Sequence, residues 1–204
     1  MERFIIKNLQ EWRSRPNRKP LVLNGARQVG KTWLLKSFGK TSFRNLAYVA
    51  FDGNPALVEF FKSGYSDIKR LITGLQAATG TMIVPEETLI VFDEVQLCPE
   101  ALTSLKYWQE NAPEYAVVAA GSLLGLHLQV GTGYPVGKTE SMTLYPMSFG
   151  EFLVAYGEEK LWEIVESCDR SMLEPFSQRL TELLRLYLFV GGMPAAVETF
   201  LRHG

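Results

Sequence analysis

Cysteine is scarce in this chain, with two among 204 residues. Cys98 and Cys168 lie far apart, without a CxxC pair or a neighbouring histidine cluster. That excludes a disulfide framework and a zinc site of the usual spacing, and leaves two ordinary buried thiols as the expectation. Charge of one sign is missing too. Lys plus Arg number 21 against 22 Asp plus Glu, a net charge of -1, so nothing global draws the chain to nucleic acid or anionic lipid. Long apolar runs are absent as well. The most apolar stretch, residues 115–128, is interrupted by Gly121, Ser122, Gly125 and His127 and falls short of the roughly 18 residues a spanning helix needs. No membrane partner is expected. Neither a repeat nor a low-complexity tract occurs.

What is present is the composition of a globular protein, 47% hydrophobic and 21% charged, which excludes disorder and collagen-like repeats. The opening MERFIIKNLQEW sets Glu2, Lys7 and Glu11 among its apolar positions, the pattern of an amphipathic helix rather than a signal peptide. A cytoplasmic location is therefore expected. The densest basic stretch, Arg13, Arg15, Arg18 and Lys19 around Pro16 and Asn17, reads as a solvated linker in preference to a phosphate or nucleic-acid contact.

Apolar runs at residues 20–25, 46–51, 89–92 and 115–120, and a last one near 141–145, read as strands. Helical spacing between them runs through Leu34, Leu35 and Phe38, through Leu57, Phe60 and Phe61 in one stretch to about Gln76, and through Leu102, Leu105 and Trp108. Strands alternating with helices predict an α/β fold with a parallel five-stranded sheet flanked by helices over residues 1–146. From 147 the pattern turns all-helical. Ser148 is placed to cap a helix through Phe152, and Phe176, Leu180, Leu183, Leu184 and Tyr187 mark a longer helix. Gly191 and Gly192 break it, and Pro194 restarts a helix with Val197, Phe200 and Leu201 on one face. With nothing downstream to cover that face, a longer protein or a partner is expected.

Gly25-Ala26-Arg27-Gln28-Val29-Gly30-Lys31-Thr32 is a glycine, four residues, a glycine, a lysine and a threonine, set between a strand and a helix. Such a loop closes backbone N–H groups around phosphate oxygens at the positive end of a helix dipole. Lys31 is placed to reach the β- and γ-phosphates, Thr32 to offer a hydroxyl to Mg²⁺, and Trp33 to follow them into the nucleotide site. Ligands of open α/β sheets bind at the carboxyl ends of strands. Asp93, ending the tetrad Leu89-Ile90-Val91-Phe92, is the candidate Mg²⁺ aspartate, and Glu94 the residue that activates the attacking water. An acid directly after that aspartate favours hydrolysis over passive binding. No Asn-Lys-x-Asp motif is present, so a GTPase is not expected. Ser122, just past a strand, is placed either as a γ-phosphate sensor or as a turn residue. Gln96 can orient a water, though structural use is preferred, and His127, Tyr107 and Trp108 receive no catalytic role.

Through GARQVGKT, LIVFDEVQLCPEALTSLKYWQENAPEY, AAGSLLGLHL, GTGYPVGKTESMTLYPMSFGEFL and FVGGMPAAV the chain resembles AAA-type P-loop ATPases of the additional-strand class. More closely it resembles a bacterial and archaeal group whose ATPase domain precedes a C-terminal domain of unknown function. The resemblance implies that the Ser122 strand is inserted between the P-loop strand and the Asp93 strand. It also implies that residues 147–204 form a small, incomplete helical lid, with Pro194 packing near the adenine as in Gly-x-Pro motifs of related signalling NTPases. Some relatives carry an arginine near Lys138; the lysine here is expected to be solvated rather than phosphate-facing, which leaves a trans-acting arginine finger open. The expected function is Mg²⁺-dependent ATP binding and hydrolysis coupled to lid movement. The alternative is a nucleotide-binding switch that turns over little without its C-terminal part or a second copy. A P-loop kinase would need an acceptor site, which the resemblance argues against.

Overall fold

The computed structural model describes residues 2–122 and 137–203. His127 and the GTGYPV part of the quoted motifs lie outside the described residues. The chain divides into two compact units, residues 5–144 and a second made of residues 145 onward with the N-terminal residues through Phe4.

Unit 5–144 begins with α1 (Ile5–Ser14), then β1 (Leu21–Gly25), α2 (Lys31–Ser42), β2 (Asn45–Ala50), α3 (Pro55–Lys62) and α4 (Ile68–Thr79). It continues with β3 (Thr88–Asp93), a 3-10 turn (Val95–Leu97), α5 (Pro99–Asn111), β4 (Ala116–Ser122) and β5 (Glu140–Leu144). The five strands form one parallel sheet in the order β2-β3-β4-β1-β5, so β4 does lie between the P-loop strand and the Asp93 strand. Interior β3 is buried at every position, whereas the edge strands β2 and β5 are only partly so, as expected when helices cover both faces of a parallel sheet. One face presents Val22, Val49, Ile90, Phe92, Val117 and Ala119 to Leu57 and Phe61 of α3, Leu71 and Leu75 of α4, and Leu105 and Trp108 of α5. The alternate residues Leu21, Leu23, Leu89, Val91, Val118 and Ala120 are buried too, and α2 packs on β2 and β3.

The single helical stretch expected to about Gln76 is instead two helices. Asn54 caps α3 by accepting the Leu57 N–H at 3.2 Å, and Asp67 caps α4 by accepting the Arg70 N–H at 3.1 Å. The Arg70 guanidinium donates to the Phe60 and Gly64 carbonyls at 2.9 and 3.3 Å, satisfying acceptors that a continuing helix would have used.

The basic stretch is solvated at Arg13, Arg15, Pro16 and Asn17, as expected of a linker, but not at Arg18. Arg18 is 7% exposed, donates to the Glu114 carbonyl at 3.0 Å and pairs with Glu86 at 2.9 Å. Arg15 pairs with Glu140 at 2.5 Å, Lys19 donates to the Gly137 carbonyl at 2.8 Å, and Arg13 lies 4.8 Å from the Phe43 ring centroid. Their partners come from sheet connections distant in sequence, so local composition could not reveal them.

In the second unit, α6 (Phe149–Tyr156), α7 (Glu159–Ser167), α8 (Arg170–Leu173), α9 (Ser177–Val190) and α10 (Pro194–His203) enclose a small core. Ser148 and Glu151 form a capping box at the start of α6. Gly191 has φ 78°, in the left-handed region, and a Cβ on Gly192 would come within 2.4 Å of the Met147 carbonyl; both glycines are needed for this break. The face expected to lack a cover is covered. Val197 is fully buried with Met147 and Phe152, Phe200 packs on that cluster, and only Leu201 stays 36% exposed. The helices that precede α10 supply the apolar surface that a reading of its own sequence cannot see. Cys98 is buried as expected, but Cys168 is exposed, because it ends α7 in a left-handed turn with φ 54° rather than on its apolar side.

Candidate functional site

The carboxyl ends of β1 and β3 and the first turns of α2 converge on one cavity of about 880 Å³. Gly25 ends β1, and a Cβ there would meet the Leu144 carbonyl of β5 at 2.6 Å. Gly30 has φ 93° and precedes α2 directly; Gln28 is left-handed as well, with φ 65°. Two left-handed residues in four turn the loop sharply enough to feed the helix from the strand, a conformation that favours glycine at the second. Val29 is fully buried and anchors the loop, while Arg27, Gln28, Lys31, Thr32 and Trp33 line the cavity. Trp33 is 53% exposed there.

Lys31 is 7% exposed, and its Nζ donates to the Gly25 and Ala26 carbonyls at 2.9 and 2.8 Å. Burial pulls its pKa below the ordinary lysine value; Glu94 and then Asp93 oppose that shift, and Arg27 adds to it. Lys31 is thus a desolvated cation bonded to the carbonyls of its own loop.

Asp93 is 2% exposed at the end of β3. Its Oδ2 accepts the Thr32 hydroxyl at 2.6 Å and its Oδ1 the Glu94 N–H at 2.9 Å. The structure therefore joins the threonine that ends the loop to the acid that ends β3. Glu94 follows with φ 52°, a left-handed turn that carries the chain away from the sheet, and its side chain lines the cavity. Gln96 Nε2 donates to Glu94 Oε2, and Gln96 lines the cavity beside it.

Three residues of this region were not found from sequence: Tyr48, which bonds to Asp93, and Lys36 and Asp52, which line the cavity. Tyr48, on β2, donates its hydroxyl to Asp93 Oδ2 at 2.6 Å. Burial, then the bond to Asp93, raises its pKa, so the phenol is a donor at neutral pH. Lys36, one turn beyond Thr32, holds its ammonium 4.1 Å from the Tyr48 ring centroid. Lys36 and Asp52 line the cavity. The available signal was a hydroxyl-tipped aromatic in a strand next to the Asp93 strand, which becomes meaningful only once the register is known.

Ser122 ends β4 directly opposite Gly25 in the parallel register, and it is not among the described residues lining the cavity. Pro194 is the first residue of α10 in the helical unit. Lys138 is not merely solvated: it pairs with Glu110 at 3.0 Å, a partner on α5 that the Gly-rich loop does not reveal.

The Thr32 hydroxyl and Asp93 carboxylate are hard oxygen donors of the kind Mg²⁺ takes. Among the described residues no group of three or more His, Cys, Asp or Glu side chains is gathered to hold a metal. No single helix among the described residues is long and apolar enough to cross a membrane.

The profile of a family described as an AAA domain matches residues 17–153. No curated protein matches the chain. Among solved structures, a Walker-type ATPase of Pyrococcus abyssi is similar at a TM-score of 0.55 and 18% identity, over 98% of this chain and 67% of that one. Drosophila ORC bound to DNA is similar at 0.51 and 16%, over 94% and 58%. The ORC2 protein of Aeropyrum pernix, in ADPNP and ADP complexes, is similar at 0.50 and 15%, over 77% and 52%. The chain spans little more than half the length of the last two. At such identities these likenesses establish the fold alone, a P-loop NTPase fold of AAA type.

Proposed function

We propose, from the premise that the chain belongs to the AAA-domain family, that it binds ATP with Mg²⁺ and hydrolyses it. The observation that carries the proposal is the convergence of Lys31, Thr32 and Glu94 on one cavity, with the buried Asp93 bonded to Thr32 at 2.6 Å behind it. The loop N–H groups receive phosphate oxygens at the start of α2. Lys31 exchanges the Gly25 and Ala26 carbonyls for the β- and γ-phosphates. Thr32 and Asp93 would hold the cation, and Mg²⁺ would supply charge neutralisation at the phosphates. Water attacks the γ-phosphorus as its bond to the bridging oxygen breaks, ADP leaves with that electron pair, and the Glu94 carboxylate orients the water and takes its proton. Ser122 senses the γ-phosphate, and Trp33 and Pro194 contribute to nucleotide binding.

In this proposal the helical unit is the lid whose conformation reports the nucleotide. A ligand biases such a two-state element only through contacts that differ between the states. The proposed setting is cytoplasmic, within the bacterial and archaeal group, with a second copy or a C-terminal domain as partner. A second reading, a nucleotide switch with little turnover until a partner supplies missing groups, is favoured by Lys31 resting on its own loop carbonyls and Glu94 held by Gln96.

Steady-state phosphate release with MgATP, beside calorimetry of ATP and ADP, tests both readings. Glu94→Gln is expected to bind ATP as the parent does while turnover falls on the order of 10²–10⁴-fold, and Lys31→Ala to weaken binding. Equal turnover by all three proteins refutes the assignment. Tight binding without turnover in the parent establishes the switch instead.

A further inference from the structure

Tyr48 enters the site from the edge of the sheet. The register pairs Tyr48 with Val91 and Ala50 with Asp93, and alternation along β3 puts Val91 and Asp93 on the same face. The phenol therefore reaches the carboxylate from the adjoining strand. Asp93 Oδ2 accepts two O–H groups, from Thr32 and from Tyr48, each at 2.6 Å, while Oδ1 accepts the Glu94 N–H at 2.9 Å. These donors come from three places: the start of α2, the edge strand, and the backbone after β3. The Thr32 hydroxyl can offer an oxygen lone pair to the cation while still donating its proton to Asp93. Tyr48 and the Glu94 N–H are then the two restraints on this 2% exposed carboxylate that do not also serve the cation. The Tyr48 ring is itself held in place, with the Lys36 ammonium over one face at 4.1 Å.

We propose that Tyr48 is a positioning residue for the divalent cation: it holds the Asp93 carboxylate toward Thr32, so that metal arriving with the nucleotide meets a preformed pair of oxygen donors. This rests on the reading of the cavity as a metal-nucleotide site. Tyr48 touches neither nucleotide nor metal in this role. It acts through Asp93, and its hydroxyl, rather than its ring, is what matters. Second-tier partners of this kind fix the orientation of groups that hold a metal, and their loss weakens metal binding by roughly ten- to a hundredfold.

The test is calorimetric titration of ADP into the whole chain, in EDTA and across a series of Mg²⁺ concentrations, for the parent and Tyr48→Phe. Metal-free ADP is expected to bind both proteins within about twofold, and the Mg²⁺ concentration giving half of the metal-dependent gain is expected to rise about tenfold in the variant, as for loss of one second-tier bond. An unchanged Mg²⁺ midpoint overturns the proposal. So does equal weakening of metal-free and metal-loaded binding, which marks a purely structural tyrosine. A parent that binds no ADP overturns the nucleotide reading and the inference with it. A parent that binds ADP without regard to Mg²⁺ overturns the metal role alone. Should Tyr48→Phe fail to fold, parent protein carrying ¹³C at the tyrosine ζ-carbon gives the same decision by NMR. The Tyr48 resonance is expected to move when Mg²⁺ is added to the ADP complex, and a resonance that stays still overturns the proposal.

Discussion

Glu151 holds together the start of α6 and the N-terminal residues of the chain, and its truncation to alanine measures that bond set directly. Its Oε1 accepts the Arg3 Nε–H at 3.0 Å and the Phe4 N–H at 2.7 Å, and its Oε2 accepts the Ser148 N–H at 2.9 Å. Arg3 and Glu151 are 5% and 6% exposed, so water does not cheaply replace the bond between them, whereas the N–H of the exposed Ser148 regains water easily. Each buried donor left without an acceptor costs about 1–3 kcal/mol, which for three donors gives an upper range of about 3–9. The lower half applies, because Arg3 keeps a bond to the Tyr145 carbonyl at 2.6 Å and the Ser148 N–H regains water. Breaking one side of a buried ion pair independently costs about 3–5 kcal/mol. Both routes meet near ~4 kcal/mol, a large share of the roughly 5–15 kcal/mol that holds an ordinary domain.

Native-state amide exchange is the suitable assay, since it reads each unit separately. Glu151→Ala is expected to speed exchange in α6 and α10 by about a thousandfold, at one decade per ~1.4 kcal/mol, and to leave β3 and β4 close to the parent. Replacing both partners, Arg3→Met with Glu151→Leu, is expected to cost less than Glu151→Ala alone, because no charge is then left buried. A loss below about 1 kcal/mol for Glu151→Ala, the value of an exposed pair, refutes the reasoning.

Two further outcomes follow from the geometry. Gly25→Ala drives a Cβ to within 2.6 Å of the Leu144 carbonyl, so β1 and β5 must part; loss of stability in urea together with weaker ADP binding is expected, and a variant indistinguishable from the parent in both refutes that packing. Burial holds the Cys98 thiol up at about 11, above its ordinary value, so the folded chain keeps a proton there that the unfolded chain releases from about pH 8.5 upward. Stability from this group is whole below that pH and is lost as pH rises toward 11. Urea midpoints across that window are expected to fall less steeply in Cys98→Ala than in the parent, and equal slopes refute the assignment. At pH 8 a disulfide reagent is expected to label the exposed Cys168 alone until the fold is opened.

Much of this protein was legible in its sequence because the relevant constraints are local. A glycine-rich turn between an apolar run and a helical period needs no distant partner to be recognised, nor does an acid at the end of a fully apolar tetrad, and Lys31, Thr32, Asp93 and Glu94 all stand where those patterns put them. The helix break at Gly191 and the helix cap at Ser148 were readable for the same reason: each is a backbone requirement met within a few residues. The alternation of strands and helices fixed the class of fold, while the insertion of β4 between β1 and β3 came only with the family resemblance, since periodicity carries no strand order.

The rest was decided by the tertiary structure. Tyr48 acquires its role only when parallel register sets β2 beside β3, and Arg18 is buried only because Glu86 and the Glu114 carbonyl come back to meet it. Val197 and Phe200 looked uncovered along α10 and are covered by residues up to some fifty positions earlier. Composition and spacing report what a segment prefers by itself. Which buried charge finds an opposite charge, and which apolar face finds another, depends on the folded chain, because burying either without its partner costs more free energy than most single local preferences supply.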